Sequence, residues 1–439
     1  MKHLNPKLKN RLKNTALLVL TILLVALTAF SWLGDLNMGD LPADSWLGRL
    51  YINLSYGEAG GFTLRSGEVP AARPVEIAVQ TETGMKGAQY NENAVSSFLA
   101  VLEQPIGAAL SAATDLQVAR ESDFIQALSK LGVLVRYHCA LPLSLIASWM
   151  GGSYNASSDP DAEVLFFDAD GILWVRTDAG VLYRCDLHAA PDPELAAEVS
   201  GQACTFAAQD MPNQTSIRPE TLLFSDSLTL STVTSTPTEI DLERAGNSLT
   251  VLLEAFGYDT YVRNYPDQTT GMRVFVNNQS TLRVGEDGEI LFRANTAEGG
   301  LEAYLKSEIG GNGPLSYQID YARRLLESVM QSFSTDASFG FDGYSQSEGG
   351  KSVRLVFRYL IGSVPVEGEE GILAVIEYQD NALISAEVHL KSFIQSGISH
   401  TILPTRQAAA AATGGPYHLA AGYFASGTDL VPRRYYLTD

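Results

Sequence analysis

Residues that announce covalent reinforcement or chemistry are scarce in this chain. Three cysteines in 439 residues cannot form a disulfide framework, and none has the close Cys or His spacing of a zinc site. Cys185 and Cys204 leave room for a single bridge, whereas Cys139, in the apolar stretch VLVRYHCA, reads as a buried small residue. Only five histidines follow residue 34: His138, His188, His389, His400 and His418. No nucleophile elbow, HExxH helix, phosphate loop or dinucleotide glycine pattern is present. A Ser/His/Asp arrangement drawn from distant segments has no local support. The sequence therefore predicts no catalytic residue, no cofactor and no metal site, and a chain that is not an enzyme.

Positive charge is also sparse, with 30 Lys and Arg against 50 Asp and Glu and a net charge of −20. Five of the basic residues, Lys2, Lys7, Lys9, Arg11 and Lys13, lie before residue 14, so the remainder carries 25 basic against 50 acidic residues, or −25. Such a field repels nucleic acid, anionic lipid and anionic wall polymers, which excludes a nucleic-acid role and favours a protein partner.

Long hydrophobic runs are limited to one, residues 15–33 (TALLVLTILLVALTAFSWL). As a helix its nineteen residues span about 28 Å, close to the roughly 30 Å hydrocarbon thickness of a bilayer. The basic tail 1–14 precedes it and Asp35, Asp40 and Asp44 follow, so the positive-inside rule places the N-terminus in the cytoplasm and the bulk of the chain outside. The rival, a cleaved secretory signal, normally has a shorter core and a small-x-small exit, which Thr28 to Trp32 do not offer. The expectation is an uncleaved single-pass anchor in the cell membrane, with Trp32 at the outer interface. Leu17, Thr21, Val25 and Thr28 recur on one face of this helix with Ala29 beside them, a pattern suited to association with another membrane helix.

Beyond the anchor, residues 34–73 are rich in Gly, Asp, Ser and Pro and read as a juxtamembrane linker, with a short strand at 50–54. Residues 74–224 read as a first mixed domain. A strand at 74–80 feeds an amphipathic helix carrying Val95, Phe98, Leu99 and Leu102 and ending near Pro105. A second helix carries Phe124, Ile125, Leu128 and Leu131, and a strand at 133–137 and three short strands follow, separated by Asp168-Ala-Asp-Gly and Asp178-Ala-Gly. The first separator lacks the later ligands of a calcium loop and reads as a turn. The Ser/Thr-rich stretch 225–237 marks a boundary, as an exposed strand or a crossing. Residues 238–300 then read as a helix (Leu249, Leu252, Leu253, Phe256) with a small antiparallel sheet, and 314–439 as a helix (Ala322, Leu325, Leu326, Val329, Met330, Phe333) with four strands. The last domain closes with a short alanine-rich helix at 408–412 and an edge strand or tail, LVPRRYYLTD. The fold class is α+β: a transmembrane helix followed by two or three modules, each a helix plus antiparallel sheet. Glu367, Glu369 and Glu370 read as a solvated hairpin tip, and Lys391 and Arg406 as surface charges.

Three segments carry a resemblance: VFVNNQSTLRVGEDGEILFRA (274–294), LVFRYLIGSVPVEGEEGILAVIEYQDNALISAEV (355–388) and TILPTRQAAAA (401–411). With the short basic tail, single anchor and long exported part, they resemble the YycH and YycI regulatory proteins of the essential cell-wall two-component system, and the length of the first domain is closer to YycH. The resemblance implies a non-enzymatic regulator that contacts a sensor histidine kinase, and a sister YycI-type protein, through the membrane helix and the exported domains. An extracytoplasmic enzyme or a wall-binding module acting alone is the alternative, and a ligand held in a histidine-lined pocket would favour it.

Overall fold

The computed structural model describes residues 70–242, 247–259, 261–297, 300–301, 315–333, 337–347 and 351–437. The tail, the apolar run with Leu17, Thr21, Val25, Thr28 and Ala29, and nearly all of the 34–73 segment lie outside the described residues.

The first stretch builds a nine-stranded sheet from β1 (Glu76–Thr81), β2 (Gly84–Gln89), β3 (Gln117–Val118), β4 (Gly132–Pro142), β5 (Asp161–Asp168), β6 (Ile172–Thr177), β7 (Leu182–Asp186), β8 (Gln202–Phe206) and β9 (Leu222–Phe224). Its order is β3-β7-β6-β5-β4-β1-β2-β8-β9, and every pairing is antiparallel. Alternation along the strands supplies two apolar faces: Ile77, Val79, Val133, Val135 and Leu165 on one, Ala78, Leu134, Val164 and Phe166 on the other. Helices α1 (Glu92–Ser111) and α3 (Leu143–Trp149) share the core of the first face, and α2 (Glu121–Ala127) covers the second with Phe124 and Leu128.

Helix α1 starts where Asn91 caps it, its side chain accepting from the Ala94 N–H at 3.0 Å. It does not stop at Pro105. It continues to Ser111, because Ile106, Ala109 and Leu110 beyond the proline are fully buried. Their burial, about 1.5–3 kcal/mol for a large apolar side chain, offsets the interior proline. By length and composition α1 is apolar enough to cross a bilayer, yet Val95, Phe98 and Leu102 sit in the protein core with these three. In the Asp168 turn the carboxylate accepts from the Ile172 N–H at 3.0 Å and the Trp174 Nε1–H at 3.1 Å, with Gly171 at φ +83°, so the segment is a hairpin turn.

After the short helix α4 (Ala207–Asp210), β10 (Thr229–Pro237) leaves the first sheet. It joins β20 (Lys391–Thr401), β21 (His418–Ser426) and β22 (Asp429–Leu437) in the order β20-β10-β22-β21. The serine- and threonine-rich stretch is thus an interior strand, and so is the terminal LVPRRYYL, which lies between β10 and β21 and is not an edge.

The remaining strands form one further sheet. Helix α5 (Asn247–Ala255) precedes β11 (Asn264–Pro266), β12 (Arg273–Val276), β13 (Ser280–Val284) and β14 (Glu289–Ala294). Helix α6 (Leu315–Phe333) precedes β15 (Ser338–Gln346), β16 (Ser352–Ile361), β17 (Val364–Pro365), β18 (Ile372–Gln379) and β19 (Ala382–His389). The stretches read as separate modules at 238–300 and 314–439 are joined, because β14 pairs with β19 from Glu289↔His389 to Arg293↔Ser385. Four short strands leave an unpaired edge that β19 completes. Leu252 and Phe256 of α5 and the segment following it, and Leu326 and Val329 of α6, share the core with this sheet, and the rings of Phe256 and Phe292 stack at 5.5 Å. The last helix, α7 (Thr405–Ala411), lies against β9 and β21, with Ala408 and Ala409 buried beside Leu223 and Leu419.

Candidate functional site

The seam between the first sheet and the β15–β16 hairpin gathers polar groups whose partners the sequence did not reveal. His138 in β4 places Nε2 3.1 Å from Asp342 Oδ1 of β15, and the other carboxylate oxygen of Asp342 lies 2.8 Å from Arg358 Nη2 of β16. Burial works to raise the pKa of Asp342, but hydrogen bonds from His138 and Arg358 and their charges hold it down at about 2. Arg358 Nη1 also donates to the carbonyls of Val366 and Gly368, at 2.5 and 3.1 Å. Next to it, Glu367 accepts from the Tyr435 hydroxyl of β22 at 2.6 Å. Beside His138, the Cys139 thiol donates to the Phe341 carbonyl at 3.4 Å, and Tyr344 donates to both oxygens of Asp161. One line of paired groups therefore runs from β4 through β15 and β16 to β22. Glu367 belongs to it and is not a solvated tip; Glu370 and Lys391 form an ion pair at the rim.

A second cluster, buried except for a partly exposed Glu163, lies where β21 meets the first sheet. Arg136 Nε donates to Glu76 at 3.1 Å and Nη2 to the Tyr90 hydroxyl at 3.1 Å, whose oxygen also accepts the Ala421 N–H at 2.9 Å. Glu163 lies 3.6 Å from Arg136 and 3.2 Å from Arg218. His418, 3.9 Å from Glu76, has its pKa pushed well below the usual histidine range, first by burial and then by the charges of Arg136, Arg218, Arg434 and Arg176. The paired charges tie strands of the first sheet to one another, and the Tyr90 hydroxyl carries the cluster across to β21.

The five histidines lie on different segments with different surroundings. His138 is in the seam, His418 is buried, His389 lies 3.0 Å from Glu387, and His400 lies 2.7 Å from Thr232 Oγ1 across the β10–β20 ladder. His188 is exposed beside a surface depression of about 390 Å³. Cys185 and Cys204 do not pair, and all three thiols are free. They sit on β7 and β8, with β6, β5, β4, β1 and β2 between them, and face opposite sides of the sheet. Six strand spacings of about 4.8 Å are roughly 29 Å, several times the reach of a disulfide. Burial pushes Cys185 up to about 11 and Cys204 up to about 12, so both are inert thiols in apolar surroundings.

A groove of about 400 Å³ opens between α1, α6 and β15, lined by Ala71, Arg73, Val95, Met330, Phe339 and Leu360. It lies where the described chain begins at Pro70, and Ala71 accepts the Phe341 N–H at 2.8 Å on the edge of β15. Arg136 lies inside the strand read at 133–137 and His138 directly after it, and the sequence marked neither as a paired group. Their partners were not legible, since Asp342 is 204 residues from His138.

No protein-family model matches the sequence, and no curated protein does. Among solved structures, YycH from Bacillus subtilis superposes with a TM-score of 0.51 at 10% identity, over 85% of this chain and 95% of that one. This chain has the YycH fold. An uncharacterized protein from Eubacterium rectale aligns at 9% identity over 47% of this chain and 76% of its own, with a TM-score of 0.29. The YycH fold accounts for the described α+β architecture, including the sheets that the sequence divided into modules.

Proposed function

We propose that this chain is a membrane-anchored, extracytoplasmic regulator that binds a sensor histidine kinase and adjusts two-component signalling in cell-wall homeostasis. The observation that carries the proposal is the YycH likeness, which spans 95% of the YycH chain and leaves the tail and apolar run 1–33 ahead of the described fold. The resemblance of 274–294, 355–388 and 401–411 to YycH and YycI supports it, as does the acidic charge, which suits a protein partner. A sister YycI-type chain is a further partner. The groups of the seam are paired with one another, so the contact with the kinase falls to the acidic outer surfaces and the membrane helix.

A partner shifts a kinase between two signalling states only by its difference in affinity for them, typically about 1–3 kcal/mol. The membrane helix supplies part of this through Leu17, Thr21, Val25, Thr28 and Ala29. Each such contact is worth about 0.6–2 kcal/mol, so Thr21→Leu with Thr28→Leu is expected to weaken regulation while leaving folding and insertion intact. The test is co-purification from detergent followed by kinase output with the full chain, the double variant and a chain lacking residues 1–33. Unchanged output in all three, with no kinase recovered, would reduce the YycH likeness to one of architecture.

A further inference from the structure

We infer that the outer face of the β14–β19 pair is a binding site for a divalent zinc-type cation, with Glu289, Glu387 and His389 as its protein ligands. The strand register brings them together. Glu289 at the start of β14 is directly opposite His389 at the end of β19, and Glu387 precedes His389 by two residues on the same side of the strand. Their ligand atoms, one imidazole nitrogen and two carboxylate oxygens, all lie within 4.8 Å of one another, and His389 Nε2 and Glu387 Oε1 are already 3.0 Å apart.

Donors at about 2.0–2.1 Å from a tetrahedral zinc stand roughly 3.4 Å from each other. The three groups need to close by little more than 1 Å, which is about one side-chain torsion for Glu387, 53% exposed. The backbone beneath them is fixed, since the His389 carbonyl accepts the Tyr359 hydroxyl at 2.9 Å and the Lys391 N–H donates to the same hydroxyl at 2.9 Å. Lys391, two residues beyond His389 at the start of β20, is held by Glu370. An imidazole among the donors selects zinc-type ions over calcium or magnesium, which prefer all-oxygen shells. Three protein donors on an exposed face leave a fourth position for water or for a donor from another protein. The net charge of −20 draws cations to the surface as a whole, and the histidine localises them here.

The site joins the two halves of the second large sheet, because β14–β19 is the pairing that connects the strands after α5 with those after α6. The experiment is calorimetric titration of Zn²⁺ alone, and separately of Ca²⁺, into the full chain in detergent after removal of bound metal with EDTA. Thermal unfolding with and without Zn²⁺ is read on the same samples. One saturable Zn²⁺ event is expected, with a raised Tm and no corresponding Ca²⁺ event. His389→Ala and Glu289→Gln are each expected to weaken it by about tenfold or more, and His188→Ala to leave it unchanged. The ligands are on the surface, so the variants should match the parent Tm in EDTA; a variant that does not is replaced by Glu387→Gln. Absence of saturable Zn²⁺ binding, binding that survives both variants, or equal affinity for Ca²⁺ would overturn the assignment. None of these outcomes depends on kinase output.

Discussion

At the scale of the residue, two buried groups tie stability to pH in separate windows. Asp342 has a folded pKa of about 2 against an ordinary 3.8, so between those values the unfolded chain binds more protons than the folded one. Its contribution, about 2 kcal/mol, is therefore complete above pH 4 and is lost as pH falls to about 2. His418 is also held low, and its contribution is complete above the ordinary 6.5 and falls below it as the unfolded imidazole takes up a proton that the buried one refuses. Urea unfolding from pH 8 to pH 2 should show both declines. Asp342→Asn should flatten the lower one alone and His418→Gln the upper one alone; coincident curves for parent and variant would refute the corresponding assignment. Arg136 is a different case, because its partners Glu76 and Glu163 are themselves buried or nearly so. Arg136→Met strands those carboxylates and is expected to cost about 3–5 kcal/mol. Pairing it with Glu76→Leu should recover part of that loss in the same unfolding assay.

At the scale of the element, the helices on the first sheet pack through glycine. A Cβ on Gly107 of α1 would meet the Met150 carbonyl after α3, and one on Gly152 would meet the Gly107 carbonyl. Backbone runs against backbone there, with no side chain to yield. Gly107→Ala should therefore lower stability by about 1–3 kcal/mol despite the better helix propensity of alanine. A thermal melt checks this, and an unchanged or raised Tm would show that α1 and α3 can separate without cost. The apolar stripe of α1 was readable from the 3.6-residue period, and so were the stripes of α5 and α6. The end of α1 was not, because a local rule about Pro105 was overridden by burial of Ile106, Ala109 and Leu110 contributed by the rest of the fold. The hairpin at Asp168 was readable because its turn chemistry is local: the side chain satisfies the very backbone it precedes.

At the scale of the whole molecule, the proposed anchor at 15–33 would govern where the fold acts. Cysteine accessibility or reporter fusions are expected to place residue 5 inside and residue 60 outside, with the mature chain retaining residues 1–34. Recovery of a soluble protein starting near Asp35 would overturn the anchor and with it the membrane contact through Thr21 and Thr28. The three sheets meet in one continuous core in which Tyr137 and Leu141 of β4 lie with Phe341 of β15 and Tyr423 of β21. The regulator proposed here therefore presents its exported part as one packed body to any partner.

By itself the sequence determined the α+β class, the amphipathic helices α1, α2, α5 and α6, most strands, the apolar run 15–33 and the acidic balance, since each depends on periodicity or composition within a short window. It also pointed to YycH, whose fold the structure carries. Only the tertiary structure decided what joins to what. β14 pairs with β19 across about ninety residues of chain, β10 crosses from one sheet to another, Cys185 and Cys204 fall on opposite faces, and His138 meets Asp342. Strand partners and buried ion pairs are chosen by unpaired edges and desolvated charges that must be satisfied somewhere in the folded molecule, and no local pattern records where.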